Sequence, residues 1–253
     1  MQKFLSVLVT ASLALVAIPG TSLAQDGDAP AVPVELFACN YNEGMGPDDI
    51  DVATAAWNKW ADDEGINDQT AWTLTKFYSS PEQAFDFIWL GVSTSATAMG
   101  RADDRYRATG GDADAIWEKA VTCDSHTRFA SVQFKAPAQQ DEPPSNIVLS
   151  FSDCTIAEGK NFGDDVAPAI SRWAEVRTEQ GSGAGHWVLF PVYGGGGEEF
   201  DFKYVTAYQN HEAMGADWDS YDVKLAGELF DGVVDCDSSR IYDAKNRRRA
   251  ESD

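Results

Sequence analysis

A displacement of 115 residues lays Trp72–Tyr106 over Trp187–Tyr221 without a gap, and 11 of the 35 positions are identical. Unrelated windows of ordinary composition share roughly 2. The matches include Trp72/Trp187, Tyr78/Tyr193, Phe85/Phe200, Asp86/Asp201, Phe87/Phe202, Met99/Met214 and Asp104/Asp219. Internal repetition fixes architecture before any local reading does, because each copy must fold the same way and bury what the other leaves open.

The same order of elements recurs in each copy. A short apolar strand (Val34–Asn40, Ile147–Ser152) runs to the first cysteine, and a Glu-Gly turn follows at Glu43-Gly44 and Glu158-Gly159. Ala53, Ala56, Trp57 and Trp60 then fall at i, i+3, i+4 and i+7. Val166, Ala169, Ile170 and Trp173 repeat that spacing, which predicts an amphipathic helix in each copy. Asp48/Asp49 and Asp164/Asp165 precede these helices, where carboxylates can take up free N–H groups.

Two strands joined by a tight turn come next. They are Trp72–Tyr78 with Phe85–Val92, and Trp187–Tyr193 with Phe200–Tyr208. A second helical region opens at Ala98-Met99-Gly100 or Ala213-Met214-Gly215, and a last strand covers Arg128–Phe134 or Arg240–Tyr242. The order is β-α-β-β-α-β twice, the ferredoxin-like split arrangement in an α+β chain. Two such tandem units, packed sheet to sheet or curled into one α/β barrel, would each cover the other's bare sheet face.

In this element order and duplication, most of residues 34–244 resembles the dimeric α/β-barrel superfamily in fused, tandem form. The superfamily includes cofactor-independent monooxygenases, haem-binding enzymes and stress-response proteins. The resemblance implies a ligand held inside the barrel or between sheet and helices, and a monomer with pseudo-twofold symmetry. It singles out no reaction.

Residues 1–24 read as a secretory signal peptide: Lys3, the apolar run Phe4–Ile18, and Ser22-Leu23-Ala24 before a cut at Gln25. Periplasmic or secreted placement follows. The rest divides into a leader (25–33), repeat 1 (34–136), a proline-rich linker (137–145), repeat 2 (146–244) and a charged, frayed tail (245–253). The net charge of −22 repels nucleic acid and anionic lipid, so neither is expected as a partner, nor a membrane once the leader is removed.

Four cysteines in an exported chain suggest two disulfides. Cys39 corresponds to Cys154 and Cys123 to Cys236, so the duplication selects Cys39–Cys123 and Cys154–Cys236. No metal-ligand spacing is present.

The candidate ligand pocket is the aromatic set of the two copies: Trp72, Tyr78, Phe85, Phe87, Trp89, Trp187, Tyr193, Phe200, Phe202 and Tyr204, with Phe85, Phe87 and Trp89 on one strand face. Turned inward between the two sheets, these rings would hold a small apolar or aromatic ligand. No cofactor is expected. Haem through His211 is the alternative, because His211 breaks the repeat (its counterpart is Ala96) and haem-binding relatives often use a helical histidine. His186 reads as a loop residue, and His126 as packing beside a disulfide. The paired carboxylates Glu43/Glu158, Asp86/Asp201 and Asp104/Asp219 read as fold-serving. Gly194–Gly197 reads as a hairpin turn, since a phosphate loop would need a following Gly-Lys-Ser/Thr. No catalytic group emerges. A ligand-binding protein, a monooxygenase-like or haem-dependent enzyme, and a non-catalytic structural module all stay open.

Overall fold

The strands of this chain close on themselves. The computed structural model describes residues 31–251 except 82 and 141, so the expected signal peptide and most of the leader lie outside the described residues. The first half contains β1 (Val32–Tyr41), α1 (Pro47–Asp63), β2 (Gln69–Tyr78), β3 (Phe87–Ser93), α2 (Ala96–Thr109), α3 (Gly111–Ala120) and β4 (Val121–Lys135). In the second half β5 (Asn146–Ile156) leads through a π-helical turn (Phe162–Val166) into α4 (Ala167–Glu179). It continues with β6 (Gly185–Tyr193), β7 (Phe202–Tyr208), α5 (His211–Asp219), α6 (Val223–Phe230), β8 (Val234–Cys236) and β9 (Arg240–Arg248).

The sheet order is β7-β6-β4-β1-β3-β2-β9-β5-β8, and β7 also pairs with β5. Eight antiparallel strands therefore form a closed barrel, with β8 appended to the far end of β5. Closure removes the free edges that an open sheet would expose. Two seams join the halves, β4 against β6 and β2 against β9. The disulfides are Cys39–Cys123 and Cys154–Cys236, each linking register partners on neighbouring strands.

One pair of the repeated carboxylates holds backbone. Asp86 accepts the Tyr41 N–H at 2.8 Å and Asp201 accepts the Ile156 N–H at 2.6 Å. Ser95 and Asn210 stand at corresponding positions and cap α2 and α5 through the N–H groups of Ala98 and Ala213. The glycine run is a hairpin connection. Gly194 has φ +83, and a Cβ there would lie 2.1 Å from the carbonyl oxygen of His126.

The barrel interior is filled by Val34, Leu36, Leu74, Leu90, Phe129, Leu149, Phe151, Leu189, Val205, Tyr242 and Ala244, with Trp72 and Trp187 packed against them. An eight-stranded barrel has room for little more than its own side chains. Other rings go to the outer face, under the helices. Phe87 and Trp89 meet α1 and α3, and Phe202 meets Ile170 and Val166. Phe85 and Phe200 precede the bends at Asp86 and Asp201 and pack on the interior instead. The expected inward stripe is thus divided.

A second difference concerns the end of the chain. Lys245–Arg248 is not a frayed tail but the last part of β9, paired with β2. Its charges are fixed on the acidic face of α1. Lys245 reaches Asp51 at 3.0 Å, Arg247 binds Asp51, and Arg248 reaches Asp62 at 2.8 Å. Among the described residues no helix is long and apolar enough to cross a membrane.

Candidate functional site

Two cavities lie between the outer face of the barrel and the helices, one in each half. The cavity of the first half encloses ≈ 270 Å³, that of the second ≈ 480 Å³. Ten of their lining positions correspond through the repeat. At displacement 115 these are Glu35/Ser150, Phe37/Ser152, Trp89/Tyr204, Ala102/Asp217, Asp103/Trp218 and Tyr106/Tyr221. At displacement 113 they are Trp57/Ile170, Trp60/Trp173, Trp117/Phe230 and His126/Ser239.

The second cavity is roofed by Trp173 of α4, Met214, Asp217 and Trp218 of α5, Tyr221 beyond it, and Phe230 of α6. Its floor is the outward row of four strands, including Ser150, Ser152, His186, Tyr204, Thr206, Tyr208 and Ile241. Three serines on that floor (Ser150, Ser152, Ser239) replace the bulk of Glu35, Phe37 and His126, which gives this half the larger space. Arg177, 1% exposed, anchors the roof. It donates to the Asp217 carboxylate at 2.6 Å and to the Ser220 carbonyl at 2.8 Å.

His186 is the one imidazole of the second floor. Its Nδ1 lies 3.0 Å from the Tyr204 hydroxyl and 3.3 Å from that of Thr206, while its buried Nε2 has no hydrogen-bond partner. Burial, reinforced by the charge of Lys135, lowers its pKa to about 4, so the ring is neutral at pH 7. Burial also raises the Tyr204 hydroxyl well above the usual tyrosine range and that of Tyr208 to about 12, so both stay protonated at pH 7, and a neutral hydroxyl can accept as well as donate. The loop expected at His186 is in fact the second residue of β6.

His211 is elsewhere. It is the first residue of α5, bonded to Asp243 at 2.7 Å and leaning on Phe77, and it lines neither cavity. Of the other expected pocket residues, Trp89 lines the first cavity, Phe202 and Tyr204 the second. Phe87 packs beside the first, Trp72, Trp187, Phe85 and Phe200 join the barrel core, and Tyr78 and Tyr193 are exposed strand ends. His126, expected beside a disulfide, stacks on Phe37 and bonds Glu35.

No known family's sequence profile matches the chain, and no curated protein does. Solved structures do. The fold is similar to that of a candidate monooxygenase from Lactobacillus acidophilus (TM-score 0.54, 11% identity, 87% of this chain and 95% of that one). It is similar to a mutant chlorite dismutase from Candidatus Nitrospira defluvii (0.53, 7%, 86% and 92%). It is also similar to a haem-binding protein from Thermus thermophilus (0.51, 8%, 85% and 92%). The chain therefore has the fold of these α/β-barrel proteins. At such identities the likeness reaches no individual residue. It does overturn the expectation that no cofactor is involved, since one protein of this fold binds haem.

Proposed function

We propose that the cavity of the second half binds a planar, largely apolar ligand, and that haem is a ligand its donor set accommodates. The carrying observation is the neutral His186, with a buried, unpartnered Nε2, among aromatic walls. A histidine that ligates a metal through one nitrogen characteristically gives its other N–H to a fixed acceptor. The hydroxyls of Tyr204 and Thr206 stand at Nδ1 to take that role, which would leave the Nε2 lone pair free. Trp173, Tyr208, Phe230 and Ile241 supply flat and aliphatic surface, and Arg177 holds the roof closed through Asp217. When bound, haem would supply one-electron and oxygen or peroxide chemistry. The residues themselves bind, orient and exclude water.

In this reading the barrel is two fused ferredoxin-like units, repeat 1 (34–136) and repeat 2 (146–244), of which the second carries the ligand. The chain is exported behind its 1–24 leader, as two disulfides favour, and acts as a monomer. The ligand sits between sheet and helices, not between the sheets.

Titration of the purified protein with hemin, followed by absorbance, tests the proposal. A saturable Soret shift that His186→Ala removes supports haem. A different small molecule retained in native mass spectrometry, and lost on Ser152→Phe, supports the broader apolar-ligand reading. Neither signal from a folded protein would overturn both.

A further inference from the structure

The first cavity differs from the second in charge as well as size. Trp57 and Trp117 each stand nearly perpendicular to Trp89, with ring centroids 5.1 Å from it. Beside this box of indoles Glu35 reaches out from β1. Its Oε2 takes the Nε2–H of His126 at 3.1 Å and faces Arg128 at 3.5 Å. No hydrogen bond to its Oε1 is found among the described residues. Arg128 in turn is held by Asp103 at 2.5 Å, so the carboxylate is fixed from one side and open on the other.

The chain makes room for that carboxylate. Glu35 is the register partner of Gly91, and a Cβ at Gly91 would lie 2.8 Å from Oε1 and 2.9 Å from Cγ of Glu35. The corresponding pair in the second half is Ser150 opposite Thr206. Bulk and charge have been placed on β1 and removed from β3 together. The carboxylates Glu35, Asp103 and Asp114 and one guanidinium, Arg107, line the cavity, and Arg128, outside that lining, joins Glu35 to Asp103, which leaves one carboxylate in excess. The lining reaches solvent at His126, whose side chain is 44% exposed.

Indole faces attract cations through the ring quadrupole, and aromatic boxes of this kind select substituted ammonium groups. We propose that the first cavity is a second binding site, for a small organic ammonium ion held by the indoles and by Glu35. A neutral molecule of the same shape would gain the apolar contact but not the attraction, and an anion would be repelled. The site stands independently of the ligand proposed for the second half.

Calorimetry and tryptophan fluorescence with choline chloride, against its neutral carbon isostere 3,3-dimethyl-1-butanol, decide the matter. Saturable choline binding, at least tenfold tighter than the isostere and weakened at least tenfold by Glu35→Gln, is the expected result. Should Glu35→Gln fail to fold, indole N–H resonances of the unmodified protein give the second readout. Choline must move those of Trp57 and Trp117, assigned by single Trp→Phe variants, and leave that of Trp218 in place. Equal binding of choline and isostere, an unchanged affinity in a folded Glu35→Gln, or no indole response to choline at 10 mM would each overturn the proposal.

Discussion

The two cavities share a frame and almost none of their lining chemistry. Trp60/Trp173 and Tyr106/Tyr221 are kept, while Glu35, Phe37, Ala102, Asp103 and His126 give way to Ser150, Ser152, Asp217, Trp218 and Ser239. What is retained in both copies is structural: the disulfides, the Asp86/Asp201 backbone clamps and the Ser95/Asn210 caps. The pocket floors can differ between the halves because those residues point away from the barrel interior that binds the halves together. The lesson is that here the groups that hold backbone keep their roles in both halves, whereas most of the cavity lining differs between them.

The largest test of that symmetry is loss of each disulfide by paired Cys→Ala substitution. Each bond closes a loop of about 80 residues, worth about 4–5 kcal/mol in the chain-entropy model. The two losses should agree in urea denaturation, and a gap of several kcal/mol would break the equivalence of the halves. Next, Trp89→Ala should cost about 3–5 kcal/mol, because it empties the centre of the first indole box. Tyr204→Phe at the corresponding position should cost only about 1 kcal/mol, the loss of one hydrogen bond to His186.

The third test is acid. His186 is protonated less readily in the fold than in the open chain, with a pKa of about 4 against 6.5. The unfolded chain therefore binds the extra proton between those values, and the contribution present above pH 6.5 is lost as pH falls toward 4. The expected loss is about 3 kcal/mol. Denaturation at pH 7 and pH 4.5 should show a shallower fall in His186→Gln, and an identical fall would remove His186 as the acid-sensitive group. The smallest effect sharpens the common frame. Ser95→Ala and Asn210→Ala should each cost about 1 kcal/mol, and thermal melts should find them alike.

The architecture was largely legible because the repeat supplied what single stretches could not. Cysteine pairing, the hairpins and the element order all followed from aligning one half with the other. The direction of the strand faces did not. In β3 the row Phe87 and Trp89 is apolar, and so is the row Ile88, Leu90 and Val92. Where a strand is covered on both sides, alternation no longer says which side is inside. Charge hid the end of β9 in the same way, since Lys245, Arg247 and Arg248 read as a solvated tail until Asp51 and Asp62 of α1 are placed beside them.

His186 was missed although the signal existed. Like His211 it departs from its repeat partner, Ala71, and period two sets it on the same face as Val188 and Phe190, both apolar. His211 drew attention through its helix, yet its position on α5 turns it to Asp243 at the surface. The first cavity's Glu35 was equally visible as a charged residue inside an apolar strand, opposite a glycine. Only the register joins the two.

The β2–β9 seam has a consequence for how the molecule is made. On the ribosome, the first half emerges with the rim of β2 bare and Trp72 uncovered, and nothing translated before residue 240 can occupy that rim. The nascent protein must carry an adhesive border through most of its synthesis, until β9 arrives to zip the cylinder shut.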